Sequence, residues 1–334
     1  MTIKDIARES GYSVGTVSRV LNHVPGVSEA SRTAVMAVVE KYNFQLNSNA
    51  KLLKQQNNSG IAIIIKGTQN MLFATIVESL QGLVEKRGYS CSMNYIDEEN
   101  DEVDEALRII RERRPLGIMF LGSNQEFYDD RFKQINVPCI MVTNSAKELG
   151  LENLSSVGTD DTDAARTAIL HLIELGHENI GILGGNTEHS YPARMRFEGC
   201  RKAFTEKHML FDMNRQYEAS YFTIAAGYQA MERLLDRMPE VTAVFAMSDV
   251  MAIGAMRLIR DRGLRVPEDI SVIGFDGIDI GRYTMPRLTT IRQHREMIAS
   301  RSVEILLDCI ENEGEAVHEM EQFHLVPGES VARR

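Results

Sequence analysis

Cysteine is scarce in this 334-residue chain: its four residues, Cys91, Cys139, Cys200 and Cys309, are widely scattered. None has a partner at the C-x-x-C spacing of a zinc or redox site, so buried free thiols are expected. The eight histidines do not cluster either, and His171 and His177, six apart, do not share a metal-ligand face of one helix. Long apolar runs are missing: Ile61 to Ile65 is among the longest and is far too short to span a bilayer. The opening Met1-Thr2-Ile3-Lys4-Asp5 lacks the basic segment and apolar stretch of a signal peptide, so a cytoplasmic protein is expected, with no membrane partner. Beyond residue 60 there is no P-loop, no nucleophile elbow and no H-E-x-x-H. Gly181-x-x-Gly184-Gly185 follows a strand-like run, but it is not G-x-G-x-x-G and no suitable acid follows about twenty residues on. An enzyme is left without a site motif, and no metal or cofactor has a signature.

The composition, 43% hydrophobic and 25% charged, is that of an ordinary globular protein, and the length predicts two or three domains. The net charge of −10, taken whole, argues against nucleic acid. It is unevenly divided. Residues 1–58 hold seven Lys/Arg and four Asp/Glu, a charge of +3, while the rest holds 30 and 43, or −13. A small basic head on an acidic body fits a head that meets phosphate and a body that stays off it.

Three short helices are legible in the head. Thr2-x-x-Asp5 resembles a capping box, and Ile3, Ile6 and Ala7 follow at helical spacing to about Ser10. Gly11 supplies a turn. Ser13 is a good N-cap for a second helix, whose Val14, Val17, Val20 and Leu21 keep a 3-4 spacing. Asn22 to Val27, with Pro25-Gly26, reads as a loop, and Ser28 caps a third helix with Ala34, Val35, Val38 and Val39 as its apolar stripe. Ala7 is small where the first helix must approach the second, Gly11 turns sharply, and Val17 fills the gap: the helix-turn-helix arrangement. A three-helix cap with no DNA role is the alternative.

Thr2-Ile3-Lys4-Asp5-Ile6-Ala7 and then Gly11-x-Ser13-x-x-Thr16-Val17-Ser18-Arg19-Val20-Leu21-Asn22 closely resemble the head of the lactose/galactose-repressor family. The resemblance implies that the helix beginning at Ser13 enters the major groove, with Val14, Gly15 and Arg19 at base-reading positions. Arg19 has the chemistry for a bidentate contact with guanine, Val14 offers only apolar contact, and Gly15 offers no side chain. Ser13, Thr16, Ser18 and Asn22 match phosphate contacts or caps; for Thr16 and Ser18 a local backbone bond is an equal alternative.

Phe44 to Ser59 is polar, with Ala50-Lys51-Leu52-Leu53-Lys54 inside it, and reads as a linker that is marginally helical. The family has a hinge helix here that folds on DNA and places a leucine in the minor groove. Leu53 matches that leucine, and Asn47 and Ala50 match its neighbours. Packing of Leu53 against the body is the alternative. Leu46 and Lys51 depart from the family's usual proline and arginine. The expected division is a head at 1–45, a hinge at 46–59 and a body at 60–334.

From Gly60 short apolar strands alternate with amphipathic helices. Strand-like runs include Ile61 to Ile65, Gly117 to Leu121, Cys139 to Val142, Ile180 to Leu183, Ala243 to Ala246 and Ile270 to Phe275. This predicts α/β architecture: parallel, doubly wound sheets in two lobes split near Val157, with a ligand cleft at the carboxyl ends of the strands. The resemblance continues through Val157-Gly158-Thr159-Asp160-Asp161, His171-Leu172-x-x-Leu175-Gly176-His177 and Val266-Pro267-x-Asp269-Ile270-Ser271-Val272-Ile273-Gly274-Phe275-Asp276. It implies a body similar to periplasmic sugar-binding proteins, with pocket positions at Asn70, Phe73, Thr143, Arg196, Phe222, Ser248, Asp249 and Asp276. Arg196 and Asp276 suit charge-assisted bonds, and Phe73 and Phe222 suit stacking on a sugar ring or nucleobase. Phe222 as core and Asp249 as a helix cap are alternatives. The family's usual acid is missing at Thr143.

The expected function is an effector-responsive repressor, without cofactor, that binds a near-palindromic operator as a homodimer and senses a sugar or sugar derivative. A binding protein with no regulatory role is the runner-up. No leucine heptads follow Gln322 to Val326, so a tetramer-forming helix is not expected.

Overall fold

Ile61 to Ile65 runs apolar without alternation because both faces of its strand are covered. Ile61, Ile63 and Ile65 enter one core with Leu80 and Leu306, while Ala62 and Ile64 enter a second with Ala106 and Phe132. A parallel strand with helices on both sides demands this pattern. In the computed structural model the described residues are 3–21, 27–42, 60–67, 70–97 and 99–334. They fall into two units, Met1–Asn58 and Ser59–Arg334.

The first unit contains α1 (Ile3–Ser10), α2 (Val14–Leu21) and α3 (Glu29–Lys41). Ile6, Val17, Val20 and Val35 are fully buried between them, with Ala7 at 7% exposure. Gly11, at φ +72°, makes the turn, and the Tyr12 N–H donates back to the Ala7 carbonyl at 3.2 Å. Ser28 caps α3 by accepting the Ser31 N–H at 3.3 Å. Thr2 and the loop at 22–26 lie outside the described residues, and Asp5 pairs with Arg8 at 3.1 Å. Val14 does not join the core: it is 42% exposed.

The second unit holds two six-stranded sheets. Lobe 1 contains β1 (Ile61–Lys66), β2 (Cys91–Ile96), β3 (Gly117–Leu121), β4 (Cys139–Thr143) and β5 (Leu154–Thr159), with α4 (Met71–Lys86) and α5 (Glu102–Arg113). Lobe 2 contains α6 (Asp161–Glu174), β6 (Ile180–Gly184), α7 (Tyr191–Glu206), β7 (Tyr217–Ala219), α8 (Ile224–Arg237), β8 (Ala243–Ala246), α9 (Asp249–Asp261), β9 (Ser271–Asp276) and β10 (Thr289–Gln293). The chain then re-enters lobe 1 as α10 (Arg295–Asn312) and β11 (His318–Glu321), and finishes in lobe 2 as β12 (Phe323–Val326). Strand orders are β11-β5-β4-β3-β1-β2 and β12-β10-β9-β8-β6-β7, so the lobes repeat one another strand for strand. All neighbours are parallel except β10 and β12.

The expected split near Val157 falls two residues before the first crossing between the lobes, and two further crossings were not expected. Val157 lies inside β5, and the chain crosses between lobes three times, after Thr159, after Gln293 and after Glu321. The return is required by burial: Ile298, Val303 and Leu306 of α10 cover Ile63 and Val142 on one face of the first sheet. Without that helix the face would be open to water. In each lobe the strand order reverses beside the first strand, at β1/β3 and at β6/β8, which leaves a crevice at the carboxyl ends where ligands bind in such sheets.

Candidate functional site

In the head, α2 divides its residues between core and solvent. Ser13 Oγ accepts the Thr16 N–H at 3.1 Å and lies 3.0 Å from Thr16 Oγ1, so both hydroxyls serve the helix start. Ser18 is half-buried. With Val17 and Val20 buried, the outward face presents Ser13, Val14, Gly15 and Arg19, all exposed. A Cβ added at Gly15 would meet only Ser13 Oγ, at 3.7 Å. Packing therefore does not require glycine there. Asn22, Asn47, Ala50 and Leu53 lie outside the described residues.

In the body, the carboxyl ends of both sheets line a cavity of about 640 Å³. Of the eight expected positions, Asn70, Phe73, Thr143, Arg196, Phe222 and Asp276 line it. Asn70 also caps α4, accepting the Leu72 N–H at 3.0 Å. Phe73 covers Gly122, whose missing Cβ would sit 2.5 Å from the ring. Phe222 both lines the cavity and packs on the lobe 2 core, so its two readings do not exclude each other.

Ser248 and Asp249 are corrected: neither lines the cavity. Ser248 is the N-cap of α9, accepting the Met251 N–H at 3.3 Å. Asp249, fully buried, follows the cap and faces the sheet, where it accepts the Ile278 N–H at 2.7 Å and the Thr290 hydroxyl at 2.5 Å. It ties the β9 turn to β10. Burial, and then the charge of Asp276, push its carboxyl well above the usual range.

Arg196 organises the lobe 2 wall. Its Nε donates to Asp161 Oδ1 at 2.8 Å, one NH donates to the Met247 carbonyl, and the other lies 3.9 Å from Asp276 Oδ1. The guanidinium stacks on Phe275, 3.7 Å from the ring centroid. Asp276 accepts the Gln293 side-chain amide at 2.9 Å, and Gln293 accepts the Thr159 hydroxyl at 3.0 Å. Thr159 and Gln293 end β5 and β10, so this chain of bonds runs from two crossing strands to the cavity wall. Burial pushes the Asp276 carboxyl up to about 7, against the opposing pull of Arg196 and Gln293. Asp161 is also raised by burial, again opposed by Arg196. Two buried carboxylates share one guanidinium, whose pull does not offset the cost of burying their charge.

Sequence reasoning missed Lys66, Glu102, Asp161 and Gln293. Lys66 carried a signal: a lone charge directly after the apolar run Ile61 to Ile65 stands at a strand's carboxyl end, where ligand groups gather. Glu102 and Gln293 gave none, since each reaches the site only through the fold. Among the described residues, no His, Cys, Asp or Glu group is placed to hold a metal ion, and no helix is long and apolar enough to cross a membrane.

The profile of bacterial regulatory proteins of the lacI family matches residues 2–47, and that of a periplasmic binding protein-like domain matches residues 169–331. The chain is 34% identical to the HTH-type transcriptional regulator MalR of Clostridium butyricum, over 99% of both chains. It is 31% identical to the HTH-type transcriptional repressor PurR of Haemophilus influenzae (strain PittEE), over 98% of this chain and 96% of that one. Among solved structures it is similar to a Lac repressor dimer bound to operator and the anti-inducer ONPF, with TM-score 0.82 and 26% identity over 99% of both chains. A complex of the transcriptional regulator CelR with cellobiose matches with TM-score 0.72 and 28% identity, over 99% of both. The head, the repeated lobes and full-length identity of this degree lead to one conclusion: the chain belongs to the lacI family of bacterial regulatory proteins, DNA-binding transcription regulators with an effector-binding domain and no enzymatic role.

Proposed function

We propose that the protein is a repressor that binds a near-palindromic operator as a homodimer and answers to a sugar or sugar derivative held between its lobes. The carrying observation is the outward face of α2, where Val14, Gly15 and Arg19 stay exposed while Val17 and Val20 are buried. Arg19 reads guanine, and Ser13, Thr16 and Ser18 position the helix on phosphate. Asn22 extends that contact; Asn47, Ala50 and Leu53 act in the hinge, between a head at 1–45 and a body beginning at residue 60. The effector contacts are Asn70, Phe73, Thr143, Arg196, Phe222 and Asp276.

A dimer is supported by need and by surface. One recognition helix reads few base pairs, too few to select an operator among a genome's competitors. Tyr283 and Met285, 84% and 93% exposed on lobe 2, are large apolar side chains that a partner subunit would cover. Support for a sugar comes from the charged and aromatic lining and from the relatives solved with cellobiose and with ribose. A gel shift with DNA flanking the gene, run with and without candidate sugars, tests the proposal. Equal binding to random DNA, or indifference to every sugar, would count against it.

A further inference from the structure

Each half of the cavity carries a buried charged pair beside an aromatic face. In lobe 2 the pair is Arg196 and Asp276, with Phe222. In lobe 1 it is Lys66 and Glu102, with Phe127. The lobe 1 pair has no part in the contacts assigned above. Lys66 closes β1, and the two side chains are 5% and 1% exposed. A buried ion pair is a poor stabilising device, since apolar residues of similar volume usually serve as well.

The geometry fits a ligand anchor better. An ammonium has three donors. Lys66 Nζ gives one to Glu102 Oε2 at 2.7 Å, and the face of Phe127 covers another, 4.2 Å from the ring centroid. No other acceptor for it exists among the described residues, and Lys66 lines the cavity. Glu102 is held at both oxygens, because the second accepts the Asn124 N–H at 2.7 Å. The pair thus holds one donor rigidly at the lobe 1 wall.

Charge narrows the ligand. The cations Lys66 and Arg196 face Glu99, Glu126 and Asp276 on the wall, with Glu102 and Asp161 directly behind. Each cation already has a carboxylate partner, Glu102 for Lys66 and Asp161 for Arg196, so neither is spare to neutralise an anion. A neutral, hydroxyl-rich ligand satisfies both anchors, and two anchors in two lobes, each with its own aromatic wall, suit two linked rings.

We propose that Lys66 is the lobe 1 anchor of the cavity and that the ligand is a neutral disaccharide, one ring held by Arg196 and Asp276 and the other by Lys66. The assignment rests on the reading that the cavity takes a sugar effector.

The test is calorimetric titration of the full chain with maltose, cellobiose, trehalose and lactose against glucose and glucose 6-phosphate. At least one disaccharide should bind about tenfold tighter than glucose, the factor a charge-assisted hydrogen bond supplies, and the phosphate should bind more weakly than glucose. In the Lys66→Met/Glu102→Gln double variant, which removes the charges together, the disaccharide advantage should vanish. Tighter binding of glucose 6-phosphate than of glucose, or an advantage that survives in the double variant, overturns the proposal. If the double variant does not fold, the ligand series on the unaltered protein decides alone. Glucose binding without any disaccharide advantage defeats only the Lys66 assignment. No binding of any sugar in the panel defeats the sugar reading itself.

Discussion

Thr143 and Asp276 occupy the same place in the two lobes: each is the last residue of its lobe's fourth strand, and each has a positive φ, +80° and +108°. Neither is glycine, so each backbone stores strain of about 1–3 kcal/mol. Both line the cavity. The strain turns each strand end sharply, and in lobe 2 it aims the Asp276 carboxyl at Arg196 and Gln293. Lobe 1 repeats the backbone and replaces the acid with a hydroxyl.

Asp276 gives the first prediction. Its carboxyl is protonated in folded and unfolded chains alike below about pH 4, and the unfolded chain then releases the proton first. Between pH 4 and about 7 the folded chain still holds it, so stability falls as pH rises through this window and levels off above it. Asp161 and Asp249, also raised by burial, act in the same direction. Asp276→Asn should flatten the profile and weaken effector binding. Thermal melts from pH 5 to 8 check the first part, and titration the second. A variant whose melting profile keeps the full slope would show that Asp276 does not carry it.

Arg19→Ala should cost about 1–3 kcal/mol on the specific operator and far less on random DNA. The side chain is exposed and outside the head's core, so the head should melt at an unchanged temperature. Gel shifts on both DNAs measure the difference, and equal losses on the two would end the base-reading role.

Gly15→Ala separates folding from reading. The added Cβ has open space, and alanine is the better helix former, so head stability should rise by up to about 1 kcal/mol. Operator preference should shift, because a methyl group now stands between helix and bases. Melting of the head together with binding to a randomised site library reports both effects.

In the proposed dimer Tyr283 lies where the partner subunit would cover lobe 2, so Tyr283→Asp should give a monomer by light scattering and weaken operator binding. Leu53→Ala should do the reverse: the dimer stays intact while specific affinity and DNA bending fall together, as expected for a wedge that opens a base step. A monomeric wild-type protein that binds a half-site as tightly as the full site would defeat the dimer.

Much was legible before the fold. Gly11, Ser13 and Val17 announced the helix-turn-helix because capping and turn preferences act within a few residues. The strands β1, β3, β4, β6, β8 and β9 were legible as apolar runs because buried parallel strands need both faces apolar. Val14 keeps the spacing of α2's apolar stripe, yet it is 42% exposed and outside the core, where the family resemblance sets a base-reading position.

What the sequence by itself determined is local: caps, turns, apolar periods, the basic head on the acidic body, and the residue pattern that marks the family. Tertiary structure alone decided which distant groups meet. Asp161, Arg196, Asp276 and Gln293 stand 35, 80 and 17 residues apart in order, and Lys66 stands 36 from Glu102. No local rule links such positions. They converge because strands of one sheet end on a common edge, and because the chain crosses between lobes three times, setting two such edges against one cavity. Asp249 shows the same reason from the other side: one turn of helix beside the sheet directs its carboxylate to Ile278 and Thr290 rather than to a ligand.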